Sequence, residues 1–187
     1  MFNSQKDKDK MNFLYRLLLT LNATSLILVI FLIKEDITIN RLLPLFESLP
    51  NYVSFIIYFC IPILLTGISL LLANRLGNSN IEEGGVEEIE LANNAFLPSY
   101  LGYFFVALSV NNFDTLLFVF IILFVFTFLS QTLYFNPLFL VFGFHFYYIT
   151  TSNKVKLFII TKQKINHPKG IGFEKLKRIN NFTFIDL

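Results

Sequence analysis

Charge and cysteine are scarce in this sequence. Of its 187 residues 15% are charged and 55% hydrophobic, 24 are Phe, and the mean hydropathy is +0.61, whereas soluble globular domains carry about 25% charged residues. Water is therefore excluded as the solvent for much of the chain. The single Cys, Cys60, excludes a disulfide framework and a pair of thiolates for a metal; lying inside an apolar run, it reads as a buried small hydrophobe. The only two His, His145 and His167, stand apart from any repeated carboxylate pattern, so neither a nucleophile-and-base arrangement nor a metal-ligand set takes shape. A net charge of +2 is too small for nucleic-acid binding by the whole chain. An AT-rich genome gives the same excess of Phe, Ile, Asn and Lys, so no aromatic binding box is read from it.

What is present is long apolar segments. A helix needs about 20 mostly apolar residues to cross a hydrocarbon core of about 30 Å, because lipid offers no partner to free backbone groups. Residues 13–33 and 52–73 satisfy this cleanly. The first is longer than the apolar region of a signal peptide and is followed by Lys34-Glu35-Asp36 rather than a small-residue cleavage site, so it reads as a retained anchor. Residues 95–110 and 113–133 read as two further spans joined by a tight turn, with Asn111, Asn112 and Asp114 closing the turn and capping the next helix. One long kinked apolar element is the alternative.

Past Gln131 the character changes. Asn136-Pro137 marks a break. Residues 139–150 and 155–164, rich in Phe, Tyr, Ile, Val and Thr, read as strands around the turn 151–154. The remainder reads as a short helix at 173–179 and a strand at 182–185. The fold class expected is an α-helical membrane protein: four transmembrane helices followed by a small cytoplasmic β-rich C-terminal appendage. Its divisions are a cytoplasmic N-terminus 1–12, a membrane domain 13–134 and a strand-rich tail 135–187. The tail is too small to bury a generous core alone, so it packs on the membrane domain or a partner. Lys6, Lys8, Lys10 and Arg16 before the first span, and eight Lys or Arg from Lys154 to Arg178 after the last, put both ends inside, which requires an even number of spans.

Apart from Asp114 in the turn that opens the fourth, the only charged residue within the spans is Arg16, near the start of the first, where it can snorkel to the interface. Transporters and ion pathways ordinarily use intramembrane ionisable groups, so an enzyme, a transporter, a cofactor or a metal is not expected. Asn22, Ser25, Thr66, Gly67, Ser69 and Gly102 suit close helix packing, within one chain or in a homo-oligomer. The conspicuous polar feature is the acidic stretch Glu82, Glu83, Glu87, Glu88 and Glu90 between the second and third spans. It reads either as a solvated loop leading into a short amphipathic helix, or as a docking surface for a basic partner or for the chain's own tail. On that tail Lys154, Lys156, Lys162 and Lys164 are the matching candidates. Anionic headgroups attract the same lysines at about 1 kcal/mol each.

The stretch Phe96-Leu97-Pro98-Ser99-Tyr100-Leu101-Gly102-Tyr103-Phe104, then Leu129-Ser130-Gln131 and Tyr134-Phe135-Asn136-Pro137, together with the size, span count and strand-rich tail, resembles the membrane subunit of the Kiwa anti-phage defence system. The resemblance covers most of the chain and contains no active-site motif. It implies a bacterial inner-membrane protein that oligomerises, detects phage-caused disturbance of the envelope, and works with a cytoplasmic DNA-binding subunit that blocks phage replication and late expression. This chain would then be a non-enzymatic sensor and scaffold that does not itself bind nucleic acid. The reading from another class is a small pore-forming, holin-like or immunity protein acting on the membrane itself.

Overall fold

The computed structural model describes residues 2–43, 46–82, 84–130, 136–168 and 170–187, with side chains from residue 11 on and without that of residue 42. Helix α1 (Phe2–Lys34) is followed by the short α2 (Ile39–Leu42) and by α3 (Asn51–Ala73). Strands β1 (Asn78–Ile81) and β2 (Val86–Leu91) precede α4 (Leu97–Ser109) and α5 (Phe113–Ser130). The short α6 (Leu138–Val141) leads into β3 (His145–Thr151), β4 (Lys156–Thr161), β5 (Phe173–Arg178) and β6 (Thr183–Ile185).

Met11–Lys34, Asn51–Ala73 and Phe113–Ser130 are long and apolar enough to cross a membrane. The expected third span is not. Residues 95–110 yield only the 13-residue α4, about 20 Å long at 1.5 Å per residue. Among the described residues three helices of spanning length therefore stand where four were expected. The shortening has a local cause, since the chain ahead of α4 is still tied to the sheet. Ala92 N–H donates to the Phe146 carbonyl at 2.8 Å, and Phe146 N–H donates to Asn93 Oδ1 at 2.8 Å. The turn between α4 and α5 forms as expected: Asn112 Oδ1 accepts from Thr115 N–H at 2.8 Å, capping α5. The last residues of the expected fourth span, 131–133, lie outside the described residues.

Helix α1 is the hub, in contact with α3, α4 and α5. Of its apolar window 56% is buried, against 22% for α3 and 6% for α5. Small and polar residues in its middle make this possible by letting neighbouring backbones approach. Thr20 and Thr24 donate back to the carbonyls of Arg16 and Thr20, each at 2.9 Å, and Ser25 to that of Asn22 at 2.8 Å. Their hydroxyls are thus satisfied without water. Tyr100 of α4 donates to the Ala23 carbonyl at 3.0 Å. Arg16 packs on α5: its guanidinium lies 5.0 Å from the Phe128 ring centroid and 3.5 Å from the Phe128 carbonyl. Cys60, expected buried, is exposed on α3, because the buried face of that helix runs through Ser54, Tyr58, Pro62, Thr66, Ser69 and Ala73.

The six strands form one sheet in the order β1-β5-β6-β4-β3-β2, with only β4 and β6 parallel. Its two edges are sequence neighbours joined by residues 82–85. In a flat sheet five gaps of about 4.8 Å would hold the edges about 24 Å apart, while five chain steps reach about 17 Å. The sheet must curl. Both faces are apolar, as period-two alternation along β3 and β4 requires. The inner face carries Val86, Tyr147, Ile149, Ile159, Phe173 and Leu176. The outer face carries Phe146, Phe158, Ile160 and Ile185, packed with Phe139 and Phe144 against Tyr15 and Leu19 of α1, Ala73 of α3 and Leu76.

The strand expected over residues 139–150 begins only at His145, its first residues forming α6 instead, and two further local expectations give way here. The part of the acidic segment from Val86 to Leu91 forms strand β2 rather than a short helix. Residues 173–178 form β5 rather than a helix, because β1 and β6 pair with both of its edges.

Candidate functional site

The acidic residues sit on an edge. Strand β2 is hydrogen-bonded only to β3, with Glu88 opposite Thr150 and Glu90 opposite Tyr148, and a register shift between Val86 and Glu88. Glu87, Glu88 and Glu90 are all exposed. Glu82 lines a cleft with Glu174, Lys175 and Asp186 at the β1 end, and Glu83 lies outside the described residues.

The lysines divide into two groups. Lys154 occupies the turn between β3 and β4 with φ +60, and its N–H donates to the Thr151 carbonyl at 2.8 Å, which closes that turn. Its ammonium is ion-paired with Glu87, and the carboxylate hydrogen-bonded to it holds its pKa above the ordinary lysine value. Lys156 pairs with Glu90 at 3.2 Å and lies 4.4 Å from the Tyr148 ring centroid. Lys162 and Lys164 lie elsewhere. Lys162 stands 4.9 Å from the Phe144 ring centroid, and Lys164 lines a cleft with Asn93, His145 and Tyr147.

The structure therefore brings Glu87 to Lys154 and Glu90 to Lys156, across three strands, and leaves Glu82, Lys162 and Lys164 apart from them. The pairing is loose. For Lys156 and Glu90, 59% and 68% exposed, water competes with the interaction and a net gain of about 0.2–1 kcal/mol is the usual range. Such an edge keeps strands of other molecules away through its charges, yet its carboxylates can change partner at little cost.

Two features were not read from the sequence. Asn93 accepts from Phe146 N–H through Oδ1, so its amide nitrogen faces His145 Nδ1 at 2.9 Å. His145 must therefore accept at Nδ1 and carry its proton on Nε2. The second feature is buried among the helices. Asn22 of α1, Thr66 of α3 and Asn136, the second residue before α6, meet with 0%, 0% and 1% exposure. Asn22 and Thr66 were candidates for packing, but nothing local marks Asn136 as their partner. Among the described residues no group of three His, Cys, Asp or Glu side chains is placed to hold a metal.

Comparison with known proteins gives one match. A family model described as the anti-phage protein KwaA matches residues 15–185, which takes in the helices, both edge strands and the rest of the sheet. No curated protein and no solved structure matches the chain.

Proposed function

The chain belongs to the KwaA family of anti-phage proteins, and from that premise we propose that it is a non-enzymatic membrane sensor and scaffold of a bacterial defence complex. It reports envelope disturbance to a cytoplasmic DNA-binding partner. The observation that carries this reading is the joint between helices and sheet. Tyr15, Leu19 and Ala73, which lie in or at the end of candidate spans, share one buried cluster with Phe146, Phe158 and Ile160 of the sheet. A change in tilt or spacing of the helices is therefore a change in the packing of the sheet.

In this reading the protein lies in the inner membrane with both termini cytoplasmic, and α1, α3, α4 and α5 all cross. The helix ends support that arrangement. Lys34 at the far end of α1 donates to the Val110 carbonyl and to Asn111 Oδ1 in the α4–α5 turn, whereas the sheet packs on the opposite end of α1 and on the end of α3. Helix α4 crosses despite its length because bilayers thin locally around short helices. The sparsely buried α5 is the natural surface for a homo-oligomer. Glu87, Glu88 and Glu90, with Lys154 and Lys156, form the docking surface for the cytoplasmic partner, and DNA is bound by that partner rather than by this chain.

The test is affinity recovery of the full chain from native cells in mild detergent, alongside phage challenge of a deletion strain. Co-recovery of a cytoplasmic DNA-binding protein and increased phage sensitivity are expected. Recovery of the chain alone with unchanged sensitivity would sink the proposal.

A pore-forming, holin-like or immunity protein is the second reading. It draws on a hydroxyl-lined cleft of about 220 Å³ formed by Ser99, Tyr103, Thr127 and Ser130 of α4 and α5. Conductance of the purified chain in planar bilayers would favour it, and an electrically silent bilayer would count against it.

A further inference from the structure

The buried polar group among the helices has a geometry that ordinary packing does not require. Asn22 lies 2.7 Å from Thr66 Oγ1, and Asn136 Nδ2 donates to Thr66 Oγ1 at 3.2 Å. In the amide orientation of Asn22 that satisfies every neighbour, its oxygen accepts from Asn136 Nδ2 at 3.0 Å and its nitrogen donates to the Pro62 carbonyl at 3.1 Å. Asn136 also accepts from Leu138 N–H through Oδ1 at 3.0 Å, so one side chain both starts α6 and fastens it to two membrane helices. The rest of the element follows from that anchor. Phe142 brings its ring to within 3.5 Å of where a Cβ on Gly67 would stand, and Phe139 is fully buried in the cluster shared with α1 and α3. Strand β3 begins only two residues after Gly143, which adopts φ +77.

Three features suit this group to opening rather than to acting as a fixed weld. Thr66 Oγ1 also lies 2.8 Å from the Pro62 carbonyl, and Asn22 reaches the same carbonyl, so both remain satisfied when Asn136 leaves. Side-chain hydrogen bonds between membrane helices are individually weak, which keeps release within thermal reach. Finally, α1 and α3 are fastened together at their other ends. Asp36, just past α1, accepts from Arg41 at 2.6 Å and from Asn51 of α3 at 3.2 Å, and Ile39 N–H donates to Ser54 Oγ at 3.0 Å. Relative movement of the two helices is thus greatest toward the end where α6 is lodged.

We propose that Asn22, Thr66 and Asn136 form a polar latch holding α6 against α1 and α3, and that its opening is the step by which movement of the membrane helices loosens β3 and the outer face of the sheet. The coupling role rests on the sensor reading above, whereas the latch itself does not.

Amide hydrogen exchange on the full chain in phospholipid nanodiscs tests it, with Thr66→Val and Asn136→Ser as variants. The first keeps side-chain volume and leaves the cap on Leu138 intact. The second retains a capping oxygen but is too short to reach Thr66 and Asn22. Both are expected to raise exchange across 138–150 roughly tenfold, equivalent to about 1.4 kcal/mol of local opening, while β5 exchanges as in the unaltered chain. Each is also expected to change protection against phage in cells that the unaltered chain protects. Unchanged exchange at 138–150 in a variant whose β5 remains protected overturns the latch. Raised exchange with unaltered phage protection overturns its coupling role. If restoring the unaltered chain to the native deletion strain gives no phage protection, the sensor reading fails and takes the coupling role with it, while the exchange data still decide the latch.

Discussion

Gly67 lies on the α3 surface that Phe142 of the α6 segment covers, and its neighbour Thr66 carries the buried hydroxyl. A Cβ at position 67 would meet the Phe142 ring at 3.5 Å, an ordinary contact distance. Gly67→Ala is therefore expected to fold as the parent does. Gly67→Leu must displace the ring and is expected to cost about 1–3 kcal/mol, read as a lowered thermal unfolding midpoint in detergent. If both variants unfold with the parent's midpoint, Phe142 is not packed there. Part of this was legible from residues alone: Asn22, Thr66, Gly67 and Ser69 stand out as small or polar groups in apolar runs. Asn136 did not, because its partners are 114 and 70 residues away and its local context signals only a turn before proline. At the exposed edge, Glu90→Lys and Lys156→Glu should together restore what each alone removes, with a coupling below about 1 kcal/mol in a double-mutant cycle. A coupling of several kcal/mol would contradict an exposed, exchangeable pair.

Strands β3 and β4 and the turn between them follow from the alternation around residues 155–161 and the polar run 151–154. Strands β1 and β2 do not. A stretch as rich in carboxylates as 82–90 reads as solvated, and the register shift after Val86 breaks the alternation that would have marked a strand. Only the open edge of β3, lined by Tyr147 and Ile149, gives β2 its place. Strand β5 is hidden in a similar way, since Phe173 and Leu176, three residues apart, mimic a helical face, and only the register shift in its pairing with β1 turns both inward. The inner core is then the place to test the sheet. Ile159 is fully buried at its centre, and Ile159→Ala is expected to cost about 2–5 kcal/mol, measured by denaturant unfolding of the detergent-solubilised chain. A cost under about 1 kcal/mol would mean that the sheet is not the packed layer described. Helix α4 is short for a related reason, since the turn that should begin it is committed to Phe146.

Across the molecule as a whole, helices and sheet share one buried cluster. The sheet takes two strands from the segment between α3 and α4, and buries its outer face on α1 and α3. A fragment of residues 136–187 lacks β1, β2 and the two long helices, α1 and α3, that cover the outer face. It is expected to show no dispersed amide spectrum and no cooperative unfolding, and a folded fragment would contradict the joint on which the sensor reading stands. On the proposed sensor reading, that joint makes the exposed β2 edge the place where a membrane event should become visible to a cytoplasmic partner. The most direct measurement is a photo-crosslinking residue in place of Glu88, activated in native cells before and after phage adsorption. The account predicts an adduct with a cytoplasmic DNA-binding protein whose yield changes on adsorption; no adduct, or one indifferent to phage, would contradict it.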